Sequence, residues 1–242
     1  NTYGKNLILP LSGGLDSRTL ATALRKKKNI KTYSYEFENG ISEIKYAKQI
    51  SLAMDWDFSE FIIPKGYLWP KIEKLARINF CQVDFIHPRQ FAVIDKICKL
   101  GDCIVSGQWG DVLFDIPKIN DNASINEQTK YLFSKIVKPG GLELSEKLWD
   151  EWGYPGRFEN ILYEKIQNLL LEIKIENPSR RILAFKSLHW AQRWANPNLK
   201  IFSERLKLVT PYYDDKICEF ICKVPNEYLQ DRKIQIKYIK DK

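Results

Sequence analysis

The sequence contains no apolar stretch approaching the roughly 20 residues that a membrane-spanning helix needs, which excludes a transmembrane helix. It has no internal repeat and no low-complexity segment, so neither a solenoid nor a disordered scaffold is expected. Its five cysteines, Cys81, Cys98, Cys103, Cys218 and Cys222, include no C-x-x-C pair. That speaks against a zinc ribbon or a redox dithiol and for free thiols in a reducing, cytoplasmic setting. The two histidines, His87 and His189, lie far apart and lack the spacing of metal ligands. No basic-then-apolar leader is legible. The sequence starts at Asn1 and stops in a lysine-rich helical pattern at Lys242, which leaves open whether the native chain continues beyond either end.

What is present describes a globular protein with a sizeable core: 242 residues, 44% apolar, 28% charged and 13% aromatic. The net charge is +8. A basic balance permits nucleic-acid or membrane-surface binding, but the basic residues are dispersed rather than set in a stripe. The one dense run, Arg25–Lys28, reads as a solvated helix end.

The first hundred residues alternate in type. Apolar or β-rich runs at Leu7–Leu11, Lys31–Phe37, Asp57–Ile63 and Asp102–Val105 predict strands. Amphipathic runs at Asp16–Lys27, Glu43–Met54, Trp69–Ile78 and Pro88–Lys99 predict helices. This order predicts an α/β fold: a parallel twisted sheet with helices on both faces. Pro10 is awkward in a strand unless it stands near the strand end. Beyond Asp115 the pattern turns mostly helical, with Gln128–Val137, Phe158–Ile173, Ser179–Ala195 and Asp214–Lys223 as helices. Pro139-Gly140-Gly141, Tyr154-Pro155-Gly156 and Asn196-Pro197-Asn198 serve as breaks between them. The expected organisation is an α/β nucleotide-binding core over residues 1–115 and a mostly helical part over 116–242 completing the same domain.

The segment that carries chemistry is Ser12-Gly13-Gly14-Leu15-Asp16-Ser17, placed between a strand and a helix. Two glycines allow a tight turn and close approach to a ligand. The helix that follows offers amide groups and a positive dipole end to an anion, and Ser12 and Ser17 add hydroxyls. Asp16 would repel a bare phosphate but can hold one through a bridging divalent cation. The loop fits neither G-x-x-x-x-G-K-[ST] nor G-x-G-x-x-G. The plainer alternative is a glycine turn with Asp or Ser capping the helix. A second loop, Ser106-Gly107-Gln108-Trp109-Gly110-Asp111, leaves the predicted fourth strand. Ligands of open α/β sheets lie outside such strand ends, so the two loops can converge and pair Asp16 with Asp111 on one magnesium ion. Asp111 reads equally well as a helix cap.

SGGLDS after a strand resembles the pyrophosphate loop of the PP-loop ATP pyrophosphatases. Thr32–Phe37 with Glu43–Ile50, Ser106–Phe114 (SGQWGDVLF) and Thr210–Pro225 (TPYYDDKICEFICKVP) are similar, in order and rough spacing, to segments of the synthetase domain of asparagine synthetases. The resemblance implies an adenine nucleotide α-hydrolase-like fold and an ATP-dependent amide ligase, with ATP and Mg2+ as cofactors. A carboxylate, aspartate by default, is adenylated with release of pyrophosphate, and an amine attacks the acyl-adenylate. By motif match, Ser12, Gly13, Gly14, Asp16 and Ser17 would hold pyrophosphate, and Leu11, Tyr35, Ser106 and Gly107 would contact the nucleotide. Asp16 and Asp111 would bind magnesium, and a C-terminal lysine, Lys237 before Lys233, would stabilise phosphate charge.

The pattern departs from the family at Gln108 and Val112, where the family has acids, and at the bulky Trp109. No stretch resembles the family's glutaminase domain, so ammonia would come from elsewhere or from sequence outside this chain. Arg18 and Arg232-Lys233 are similar to asparagine-synthetase-like proteins of polysaccharide clusters. The expected partners are ATP, ammonia and aspartate or another carboxylate, with a homodimer and a glutaminase domain or subunit left open. No membrane partner is expected, and nucleic acid is disfavoured. An enzyme of polysaccharide or peptide biosynthesis, a tRNA-modifying PP-loop enzyme and a non-catalytic nucleotide-binding domain remain the alternatives.

Overall fold

The computed structural model describes residues 5–40 and 44–242. Its elements begin β1 (Leu7–Pro10), α1 (Leu15–Leu24), β2 (Ile30–Phe37), α2 (Ile44–Ala53) and β3 (Asp57–Ile63). They continue through α3 (Ile72–Asn79) and the single turn α4 (Ile94–Ile97) to β4 (Cys103–Val105) and the turn α5 (Gly110–Leu113). Then come α6 (Ile125–Ile136), α7 (Pro139–Glu151), α8 (Phe158–Glu172), α9 (Pro178–Phe185), α10 (Asn196–Ser203) and β5 (Lys207–Val209). The chain closes with α11 (Asp215–Lys223), α12 (Asn226–Leu229) and α13 (Lys233–Lys240). Glu43, the expected first residue of α2, lies outside the described residues.

All five strands are parallel, in the order β3-β2-β1-β4-β5. The sheet is twisted and flanked by helices on both faces, as the alternation of patterns predicts. β1 is central and covered on both sides, which is why Leu7, Ile8 and Leu9 are continuously apolar and buried. Chain order reverses between β1 and β4, so the sheet has its switch point there.

Pro10 shows how a central strand tolerates the residue. Leu11 donates its N–H to the Tyr33 carbonyl of β2 at 2.8 Å. Strand alternation therefore directs the nitrogen of Pro10 to the β4 side. On that side the ladder already ends, because β4 pairs only with Leu7 and Ile8. The missing donor costs no bond, and β1 and β4 part just where the two loops begin.

Two compact units are distinguishable: Asn1–Asp115 with Ala191–Lys242, and Ile116–Trp190. The first has the sheet at its centre, with Ile8, Tyr33, Ile63, Leu75, Phe91, Ile97, Ile104 and Phe202 in one apolar cluster. The second buries Leu132, Ile166, Leu170, Ile182 and Phe185 together.

Some breaks read from the sequence are helix starts. Pro139 and Pro197 stand in the first turns of α7 and α10. A proline there lacks only an N–H that would have no helical partner anyway. The helix expected over Ser179–Ala195 is α-helical to Phe185 and π-wound over Lys186–Ala195. Where the π-wound segment meets α10, the Asn198 side chain donates to the Trp194 carbonyl at 2.8 Å. The segments expected over Trp69–Ile78 and Pro88–Lys99 open as 3-10 turns, at Trp69–Lys71 and Arg89–Val93. The three-residue strand β5 was not expected, being too short to show a period.

Candidate active site

The Ser12–Ser17 loop leaves β1 and enters α1 through Gly14, whose φ of −77° and ψ of 155° set it as the extended residue before the helix. No side chain caps this end of α1, so the capping alternative for Asp or Ser does not describe it. The loop is braced from within. Ser17 Oγ accepts from the Ser12 amide at 3.2 Å and lies 3.1 Å from Ser12 Oγ, while Ser12 Oγ accepts from the Gly14 amide at 3.1 Å. Arg18 donates through Nη2 to the Gly13 carbonyl at 2.8 Å and through Nε to the Gly14 carbonyl at 3.3 Å. Both glycine carbonyls are thereby held by a guanidinium. The loop and Arg18 also border an open cleft of about 760 Å³, lined further by Tyr46, Gln49 and Ile50 of α2.

The second loop comes against the first. A Cβ on Gly107 would lie 3.5 Å from the Ser17 nitrogen and 3.6 Å from Asp16 Cβ. A Cβ on Gly110 would lie 2.5 Å from Asp16 Oδ1. Trp109, at φ 79°, makes the left-handed turn between them and caps α5 without a side-chain bond. Its indole is buried and stacks on Tyr213, ring centres 6.0 Å apart. Asp111 is therefore in the first turn of α5 and not its cap.

Asp16 is the electrostatic centre of this arrangement. Burial raises its pKa above the ordinary carboxylate value, and the Asp111 charge raises it further. The Gln235 amide, the Arg232 guanidinium and the Asp111 backbone amide oppose that rise. Gln235 Nε2 donates to Asp16 Oδ1 at 3.1 Å, Arg232 Nη1 is 3.8 Å from Oδ2, and the Tyr212 hydroxyl donates to the Asp16 carbonyl at 2.7 Å. Burial and the charge of Asp111 push the Tyr213 hydroxyl well above its usual pKa.

The other sequence-derived positions lie as follows. Leu11 is buried and prolongs the pairing of β1 with β2. Ser106 is buried, donates its N–H to the Val209 carbonyl of β5 at 2.8 Å, and accepts the Gln108 N–H at 3.2 Å. Tyr35 stands two residues beyond Tyr33, the register partner of Pro10, and its hydroxyl accepts from Arg89 at 3.0 Å. Thus Ser12–Ser17, Gly107 and Asp111 are brought together. Lys237 is exposed and 3.6 Å from Asp241, and Lys233 is also exposed. The α13 segment reaches Asp16 through Gln235 and Arg232, neither of which sequence reasoning named as a site residue. The hint in the sequence is that Gln235 is an uncharged polar residue between Ile234 and Ile236 in a lysine-rich helix.

The residues present fit a magnesium–phosphate group. Mg2+ is commonly held by one or two carboxylates together with substrate phosphates rather than by a protein cage. Asp16 and Asp111 lie near enough for the charge of one to act on the other, and would supply such a pair. The glycine at 110 leaves the Asp16 carboxylate uncovered by any side chain from that position.

A doubly wound parallel sheet with an uncapped glycine loop at its switch point defines a nucleotide-binding α/β protein. A family model for asparagine synthase matches residues 6–239, nearly the whole chain, and the chain belongs to that family. Membership places it among the PP-loop, ATP-dependent enzymes of amidation type acting on small molecules. A search among curated proteins found no match. Among the described residues no helix is long and apolar enough to cross a membrane.

Proposed function

We propose that this chain is an ATP-dependent carbon–nitrogen ligase that adenylates a carboxylate, aspartate by default, with release of pyrophosphate, and passes the acyl group to ammonia with loss of AMP and a proton. The observation that carries the reading is the contact of the two loops: Gly107 and Gly110 bring the second loop onto Asp16 in the first turn of α1. In this reading Ser12, Gly13, Gly14 and Ser17 bind the pyrophosphate end, with Arg18 keeping the two glycine carbonyls turned from it. Leu11, Tyr35, Ser106 and Gly107 border the nucleoside. Asp16 and Asp111 would hold magnesium, which supplies charge neutralisation for the departing phosphates. A cation from α13 assists: Lys237 by resemblance, with Arg232 the guanidinium seen on Asp16. Gln108 and Val112, in place of acids, support an acceptor other than aspartate as the variant reading, a sugar acid or a peptide carboxylate. The chain would work in the cytoplasm.

The test is pyrophosphate release from ATP and Mg2+ across a panel of carboxylates, each with ammonia, with Asp16→Ala as control. Release with one acid, lost in the variant, is the expected result and names the acceptor. ATP binding without release for any acid would replace the ligase by a non-catalytic nucleotide-binding domain.

A further inference from the structure

Gln235 lies 219 residues from Asp16 in sequence and touches it. The side chain is 1% exposed. Its amide nitrogen serves Asp16 Oδ1 at 3.1 Å and Thr19 Oγ1 at 3.3 Å, and the amide also bears on the Tyr212 hydroxyl. Its amide oxygen is buried and has no hydrogen-bond partner.

A buried acceptor left unpaired costs about 1–3 kcal/mol, and an apolar side chain of similar shape would not bear that cost. Packing of α13 on α1 therefore does not account for a glutamine at this position. What the glutamine supplies, and a methionine would not, is a donor aimed at one oxygen of Asp16. Gly110 stands against the same Oδ1, and the Tyr212 hydroxyl holds the Asp16 backbone carbonyl.

We propose that Gln235 is a positioning residue for the cation-binding carboxylate. It engages Oδ1, holds one orientation of Asp16, and leaves Oδ2 to a positive partner. Here that partner is Arg232, at 3.8 Å. In the working enzyme it is a divalent cation shared with Asp111. The inference rests on the proposed function in taking Asp16 as a cation ligand. Partners of this kind are typically worth about 10–100-fold in metal affinity.

The test uses the full chain, Mn2+ as the probe, and electron paramagnetic resonance to count free Mn2+, with and without a non-hydrolysable ATP analogue. Gln235→Met keeps the length and removes the donor. It is expected to weaken Mn2+ binding by about tenfold or more and to raise the Mg2+ concentration for half-maximal pyrophosphate release. Its melting temperature should not fall. Gln235→Leu, which also lacks the donor and adds no charge, is expected to weaken binding as well, and carries the test if the methionine variant does not fold. Wild-type Mn2+ affinity in the folded variants, whatever their stability, overturns the proposal. Equal Mn2+ binding by wild type and Asp16→Ala overturns the reading of Asp16 as a ligand, and the role of Gln235 with it.

Discussion

Gly110 and Asp16 are packed so closely that position 110 admits no side chain. A Cβ there would meet Asp16 Oδ1 at 2.5 Å and Tyr212 Cε2 at 2.7 Å. Gly110→Ala must displace the carboxylate or the ring. Overpacking of this kind costs about 1–3 kcal/mol. A displacement of about 1 Å in a reacting group can lower the rate about 100-fold. We expect a lower melting temperature and a loss of pyrophosphate release of that order. Gly140→Ala in α7 is the matched control, since nothing lies within 4 Å of its added methyl. It should gain a few tenths to about 1 kcal/mol, because alanine is the better helix former. Thermal melts of the two variants should therefore move in opposite directions.

Asp16 is retained at a cost to the fold. Burial and Asp111 raise its folded-state pKa above the unfolded value. A carboxyl shifted this way destabilises the folded state at every pH above both values, and the cost fades as pH falls through the folded value. Asp16→Asn keeps an acceptor for Gln235 and removes the charge. In metal-free, nucleotide-free buffer at neutral pH it should melt above the wild type, the gap closing on acidification. The same variant should release no pyrophosphate. A lower melting point than wild type at neutral pH would show that the ion pair with Arg232 outweighs the desolvation.

Trp109 combines an unfavourable backbone with a large buried side chain. Its left-handed φ of 79° costs about 1–2 kcal/mol for a residue with a Cβ. Removing a buried tryptophan costs about 3–5 kcal/mol. The second term is larger, so Trp109→Gly should lose about 1–4 kcal/mol in denaturant titrations despite the relieved turn. It also removes the ring stacked on Tyr213, next to Asp111. If the indole bounds the acceptor site, the variant should accept bulkier carboxylates in the pyrophosphate assay. An unchanged acceptor profile would place the site elsewhere.

The helical and strand periods of residues 7–105 were legible because each element buries a definite face. Leu7, Ile8 and Leu9 read as a strand covered on both sides, and they are. Proline and glycine were the misleading residues. Pro139 and Pro197 were read as breaks, yet each begins a helix, since the same residue that ends one is favoured in the first turn of the next. The glycine loop could be read because its chemistry is contiguous: turn, hydroxyl, carboxylate and helix start lie within six residues.

The sequence by itself determined the parallel α/β order, the glycine loop between β1 and α1 and the family, because these depend on local period and on short strings of neighbouring residues. It did not determine what surrounds Asp16. Gln235 and Tyr212 reach that carboxylate and its backbone only after β5 has joined the sheet edge and α13 has packed on α1. Gly110 reads as a turn residue until Asp16 is seen against it. Contacts between residues about 100 to 220 positions apart leave no periodic trace, and Gln235 differs from its neighbours only in polarity. Tertiary packing alone decides that its donor meets the half-buried carboxylate of Asp16.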